Sequence, residues 1–210
     1  MSDWNETQKH EADYWGNCLG MRAWGEFVKQ EMYGADMGLI TDYGNGAGEL
    51  QMGNRSVLDV GGGPVSMTLR CLNARYPTVV DPCEWPASVM RRYQNYGVHF
   101  VRAPAEELNA QQLALRVYDE VWMYNVLQHV QDPVKVLQNA VARVSPTGVL
   151  RVFEWINIPT DACHIHTLTS EEMLNWLKGC TILKVNIKRQ KGYWSDGAES
   201  FAGIFSVPAL

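Results

Sequence analysis

Asp59-Val60-Gly61-Gly62-Gly63-Pro64 sets a carboxylate two residues before three consecutive glycines, and Asp81 follows 22 residues after Asp59. Glycines carry no β-carbon, so such a turn lets backbone approach a ligand closely, and a helix after it would aim free N–H groups at that ligand. An acid at the end of the next strand is placed to accept hydrogen bonds from a ribose diol. Farther along, His129, Glu154, His164 and His166 are groups able to take a proton. His164-Ile165-His166 also offers two ligands for a metal, with His129 and Glu154 to complete a set. The plainer alternative is a pair of loop histidines that shape a pocket, and no metal is assigned. The cysteines at 18, 71, 83, 163 and 180 form no CxxC pair. An odd number without metal-ligand spacing reads as reduced thiols in a cytoplasmic protein.

The elements that must position these groups alternate from residue 55 onward. Strands are expected at 57–60, 78–81, 99–102, 118–124 and 149–155, from their apolar runs. Val65, Leu69 and Leu72, at i, i+4 and i+7, predict a helix directly after Pro64. A second helix is expected over 87–96. A third opens at the N-cap pair Asp132-Pro133 and carries Val134, Leu137, Val141 and Val144 on one face. Ser145-Pro146-Thr147-Gly148 reads as a turn. Thr169-Ser170-Glu171-Glu172 fits a capping box opening a helix with Met173, Leu174 and Leu177. Two closing strands, about 181–187 and 201–207, flank the polar turn region 192–199 with no helix between them, so they should pair antiparallel.

This order predicts an α/β three-layer sandwich with a mostly parallel seven-stranded sheet, its last strand antiparallel. Residues 1–50 read as a separate N-terminal helical and aromatic cap or lid, and residues 51–210 as the ligand-binding domain. The cap would hold helical pieces at about 5–17 and 22–33, the rings of Trp4, Tyr14, Trp15, Trp24, Tyr33 and Tyr43, and a hinge rich in glycine (34, 38, 44, 46, 48).

With 210 residues and a net charge of −5, one domain with a substantial core and no basic block is expected. Nucleic acid is therefore disfavoured, with Arg91, Arg92 and the lysine-rich stretch 184–191 as the densest basic candidates. No apolar run approaches a membrane span, and the polar start Met-Ser-Asp-Trp-Asn-Glu does not read as a secretory signal.

Two familiar glycine loops do not fit. The dinucleotide fingerprint needs a glycine three residues after Gly63, where Ser66 stands, and a P-loop needs Gly-Lys-Ser/Thr. Gly61-Gly62-Gly63-Pro64 behind its acid resembles instead the class I S-adenosylmethionine-dependent methyltransferase family. Tyr118 to Pro133, with its fourth-strand segment running through Asn125, Leu127, His129 and Val130 into Asp132-Pro133, resembles the same family. The likeness is firm over about 57–155, loose beyond it, and leaves 1–50 unmatched.

That resemblance implies S-adenosyl-L-methionine as cofactor. It also implies roles: Asp59 organising the glycine loop and, through water or backbone, the methionine amino group, with Gly61, Gly62 and Gly63 passing under the methionine and ribose. Asp81 would hold the ribose hydroxyls, Pro82 pack on the adenine, and Asn125 with Val126 line the methionine end. Relatives often carry an Asp before the alanine after the third strand. Here Pro104 precedes Ala105, so adenine recognition falls to the Ala105 N–H and Glu106. Tyr14 and Trp15 could close over the methionine end.

Methyl transfer mainly requires an oriented nucleophile and, where that nucleophile is protonated, a base. His129, then His166, are the candidate bases, and Glu154, a carboxylate in an apolar strand, is expected to face the cleft. Capping or packing is the alternative for His129, and an ion-paired surface position for Glu154. The expected activity is methyl transfer to an O or N nucleophile of a small-molecule acceptor. Methylation of protein or nucleic acid, transfer of another cofactor fragment and a non-catalytic cofactor-binding subunit are the competing readings. A homo-oligomer is left open.

Overall fold

In the computed structural model, residues 4–18, 23–39, 48–189 and 198–208 are described. Tyr43, Gly44, Gly46 and most of the turn expected at 192–199 lie outside them, as does the side chain of Trp24. Two helices open the chain, α1 (Trp4–Cys18) and α2 (Ala23–Asp36). Strands β1 (Leu50–Gln51), β2 (Ser56–Val60), β3 (Cys71–Leu72) and β4 (Arg75–Asp81) follow, then α3 (Ala87–Asn95) and β5 (His99–Arg102). The second half holds β6 (Tyr118–Tyr124), α4 (Pro133–Val141), β7 (Val144–Ile156), α5 (Ser170–Trp176), β8 (Thr181–Arg189) and β9 (Glu199–Ser206).

Seven strands form one sheet in the order β5-β4-β2-β6-β7-β9-β8. The pairs from β5 to β7 are parallel, and β9 runs antiparallel to both β7 and β8. The expected α/β sheet with an antiparallel last strand is therefore what the chain forms. Its order doubles back at β2, so the carboxyl ends of β2, β4 and β6 lie side by side at the switch point where α/β sheets bind ligands.

Side chains alternate between two buried faces, as strand geometry requires. Leu58, Val121, Met123 and Val152 point to the layer of Val136, Leu137, Ala140 and Met173. Val57, Trp122, Tyr124, Phe153 and Trp155 point the other way, into a cluster that includes Tyr33 and Met37 from α2 and its C-terminal turn. Residues ahead of the sheet thus supply part of its second core.

Three local expectations are corrected. No α-helix follows Pro64: a single 3-10 turn (Met67–Arg70) runs straight into β3, which pairs in parallel with β1. Ser66 caps that turn and also bonds to Asp59, so its hydroxyl is spent on the loop. Residues 145–148, read as a turn, continue β7 as an irregularity opposite Tyr118 to Glu120. A β-carbon on Gly148 would stand 2.8 Å from the Tyr118 carbonyl oxygen, so the strands meet there only through glycine. On α4 the buried face is Val136, Leu137 and Ala140, with Val134 and Val141 only half-buried. The capping box at Thr169 and Glu172 is present, both bonds formed.

Candidate functional site

A cavity of about 360 Å³ opens at the carboxyl ends of these strands. Gly61, Gly62 and Gly63 after β2, Asp81 and Pro82 at the end of β4, Ala105 and Glu106 after β5, and Asn125 and Val126 after β6 all line it. Trp4, Gln8, Glu11, Tyr14 and Trp15 of α1 line it as well, with Lys29, Gln30 and Tyr33 of α2. Val80, Cys83, Trp85, Tyr124, His129, Val130, Asp161, Cys163 and His164 complete the wall.

The glycine turn is shaped by what lies behind it. Gly61 has φ of 76°, and a β-carbon there would come within 2.5 Å of Val126. A β-carbon on Gly62 would meet the Asp59 carboxylate at 2.8 Å. Asp59 itself is absent from the cavity wall. Its Oδ2 accepts from the Ser66 and Tyr124 hydroxyls, each at 2.5 Å. Burial pushes its pKa up to about 7 against those two hydrogen bonds. Asp59 thus braces the loop from below, through Ser66 and Tyr124.

Asp81 does face the cavity. Oδ2 accepts from the Gly63 amide at 3.0 Å, and Oδ1 from the Cys83 amide at 2.9 Å and the Trp85 indole at 3.2 Å. Burial raises its pKa to about 6, with the amides of Cys83 and Gly63 opposing, so the carboxylate is largely ionised at neutral pH. At the far end, Asn139 donates to the Ala105 and Glu106 carbonyls, and Glu106 Oε1 accepts from the Gln131 amide at 2.8 Å. These bonds fix the β5 loop against the start of α4.

The candidate bases separate in space. His129 is 12 % exposed and lines the cavity; Nδ1 faces the Cys163 carbonyl at 2.9 Å and Glu11 Oε1 at 3.2 Å. Glu154 stands behind the wall, fully buried, with its carboxylate accepting from the Val126 and Leu127 amides at 3.0 to 3.1 Å. Burial lifts its pKa to about 7, against those amides and His129. The expectation that Glu154 faces the cleft is therefore corrected: backbone amides satisfy the buried charge, and it holds the loop after β6. His166 is likewise off the wall, with Nε2 at 2.8 Å from the Val130 carbonyl. His164 is on the wall, nearly buried, with Nδ1 2.9 Å from Asp161 and its ring 4.8 Å from that of His129. Glu154 and His166 are thus committed to backbone groups, not to a shared metal set with His129 and His164. Burial and the neighbouring Glu11 push the Cys163 thiol up to about 12, so it stays protonated.

Sequence reasoning named the rings of the second wall, Trp4, Tyr14, Trp15 and Tyr33, but missed its polar members Gln8, Glu11, Lys29 and Gln30. Trp4, Gln8, Glu11 and Trp15 recur at the 3.6-residue period, which puts them on one helix face. That stripe is half polar, so a search for apolar periodicity passes over it. Gln30, Trp85 and Tyr124 carried no motif.

The cavity suits a polar ligand with both donors and acceptors. Trp4 Nε1 and Gln30 Oε1 are buried on its lining residues without a hydrogen-bond partner. Buried polar atoms are normally paired, so a donor and an acceptor stand ready there. Together with the Asp81 carboxylate and the glycine turn, they fit a nucleoside bearing an amino acid.

Residues 58–150 match a family model described as a methyltransferase domain. The chain is 30% identical over 152 residues to the ubiquinone biosynthesis O-methyltransferase of Histophilus somni (strain 2336), a match covering 69% of this chain and 63% of that protein. It therefore spans less than two thirds of that curated relative's length. Among solved structures, the 1,6-didemethyltoxoflavin-N1-methyltransferase of Burkholderia thailandensis, with its substrate and S-adenosylhomocysteine bound, superposes with a TM-score of 0.65 at 17% identity. That likeness covers 100% of this chain and 92% of the other. A [4+2]-cyclase superposes at 0.60 with 16% identity, over 75% and 76% of the two chains, so the fold alone does not fix the reaction. Residues 58–150 thus match a methyltransferase domain, and the chain shares its fold with the solved methyltransferase. Among the described residues, no helix is long and apolar enough to cross a membrane.

Proposed function

We propose that this protein transfers a methyl group from S-adenosylmethionine to an O or N nucleophile of a small molecule in the cytoplasm. The observation that carries the reading is the single cavity that joins the glycine turn, Asp81 and His129. Bound there, the cofactor supplies a methyl group already activated by a positive sulfur. Asp81 would accept from the ribose hydroxyls, Pro82 and Ala105 would flank the adenine, and Gly61, Asn125 and Val126 would pass along the methionine. Asp59 and Glu154 would act through the loops they hold, and α1 would close over the site with Tyr14 and Trp15. His129 would take the acceptor's proton, which favours an acceptor that still holds one at neutral pH. The curated relative is named as an O-methyltransferase and the Burkholderia thailandensis neighbour as an N1-methyltransferase, so both acceptor atoms stay within the proposal.

Titration calorimetry with S-adenosylmethionine and S-adenosylhomocysteine tests it. Wild type should bind both, and Asp81→Ala should weaken binding about 100-fold, in line with loss of charge-assisted hydrogen bonds worth roughly 1.5–3 kcal/mol. A wild-type protein that binds neither would defeat the reading.

A further inference from the structure

The wall of the cavity facing His129 contains a carboxylate that comes from outside the sheet. Glu11 belongs to α1, 118 positions before His129, and lies 3.2 Å from its Nδ1. The Cys163 carbonyl accepts at the same nitrogen. With two acceptors on Nδ1, that nitrogen carries the proton, which fixes the tautomer. The other nitrogen, Nε2, sits 3.5 Å from Asn125 Nδ2. The Asn125 amide is oriented by Gln128, whose Nε2 donates to Asn125 Oδ1 at 2.9 Å, so Asn125 turns its NH₂ toward a ring nitrogen that holds a lone pair. We propose that Glu11 is the positioning residue of His129, completing from α1 a carboxylate–imidazole dyad that is competent only while α1 is seated on the core.

This rests on the methyltransferase reading and adds a residue and a coupling to it. An O–H or N–H bond of the acceptor breaks, the proton bonds to His129 Nε2, and the electron pair stays on the acceptor atom as the nucleophile. The imidazolium so formed faces Glu11, as a base oriented by a carboxylate does in hydrolase triads. Other groups face the ring too. Glu154 lies behind it, His164 and its partner Asp161 approach from the segment after β7, and Gln8 Nε2 reaches the His129 carbonyl at 3.4 Å. Burial opposes charge on His129, but Glu11, then Glu154 and the Cys163 carbonyl, raise its pKa above the ordinary histidine value. Burial likewise opposes charge on Glu11, yet His129 holds its pKa below the usual carboxylate value. No other carboxylate among these bonds directly to the His129 ring, so Glu11 is the one whose removal should be felt there.

The test is imidazole nitrogen NMR on the full chain, with and without S-adenosylhomocysteine. In wild type the neutral form of His129 should be the Nδ1–H tautomer. Glu11→Gln should lower its titration midpoint and mix the tautomers, and Glu11→Asp, which keeps the carboxylate, should restore both in part. Once an acceptor is in hand, the acid limb of kcat/KM should move to lower pH in Glu11→Gln with at least a tenfold fall in kcat, against the larger loss of about 10²–10⁴-fold for His129→Ala. A midpoint and tautomer unmoved by Glu11→Gln overturn the dyad even if the cofactor binds tightly. Failure of wild type to bind the cofactor overturns the function and leaves the titration readable.

Discussion

Helices α1 and α2 both precede the sheet and both line the cavity, but they are attached by different forces. Beyond its helical span α2 leads into Met37, which is fully buried, and Tyr33 on its last turn is 5 % exposed against Phe153, with ring centroids 4.3 Å apart. Trp155 donates to the Tyr33 hydroxyl, Arg151 to the Met37 carbonyl, and Lys188 pairs with Asp36. The contacts of α1 with the core are mixed: Glu11 pairs with His129, Gln8 meets the His129 carbonyl and Cys83, and Trp15 packs, half-buried, against the cluster of Val79, Trp85 and Tyr93. An element held by buried aromatic area must unfold to leave. One held by a charge pair, a few hydrogen bonds and one half-buried ring has less to break, which suits a cover that opens for ligand exchange. This is the physical ground on which α1, and not α2, is proposed as the moving part.

The largest effect should come from emptying the α2 anchor. Tyr33→Ala is expected to destabilise the fold by about 3 kcal/mol in a denaturant titration, since it removes a buried ring at the meeting of three aromatic residues. A loss below about 1 kcal/mol would place α2 with α1 as a loosely held cover.

A second effect separates floor from roof by pH. Asp81 has a folded pKa raised to about 6, chiefly by burial, so its acceptor capacity fades as pH falls through 6. Cofactor affinity should then drop roughly tenfold between pH 7 and pH 5, one logarithmic unit per pH unit below the pKa. The Glu11–His129 charge pair runs oppositely. His129 has a raised folded pKa, so its charged pairing is present below the ordinary histidine range and lost as pH rises through the folded value. Calorimetry from pH 5 to 9 should show binding weakened on the acid side, and Asp81→Asn should flatten that limb. An acid limb that persists in Asp81→Asn would move the effect to another group.

The smallest effect is expected at the rim of α2. Lys188 is 46 % exposed, so Lys188→Ala should cost no more than about 1 kcal/mol despite its contact with Asp36. A larger loss in thermal unfolding would mean that this pair, and not the aromatic cluster, fastens α2.

Much of the sheet could be read from the chain because each strand carries its own apolar run and each turn its own punctuation. β5 (His99–Arg102) and β6 (Tyr118–Tyr124) fall on the expected bounds, and the Asp132 and Thr169 caps are formed as their local chemistry implies. The helix expected after Pro64 failed because Val65, Leu69 and Leu72 have helical spacing, while the hydroxyl of Ser66 goes to Asp59 and residues 71–72 pair with 50–51. Those partners are distant in sequence, so no local pattern records them. Glu154 misled for the same reason: a carboxylate in an apolar strand must find donors, but local sequence does not say whether they are a ligand's or the amides of Val126 and Leu127.

By itself, then, the chain determined the alternation of elements, the glycine turn and the acid at the end of β4, since these depend on residues within a turn or a strand of one another. The tertiary structure decided which of the acids and histidines meet. It put Asp59 and Glu154 behind the loops they brace, His166 against the Val130 carbonyl, and Glu11 beside His129 across 118 positions. A proton acceptor is made by the distance and burial of its neighbours, and those are set only when separate segments pack.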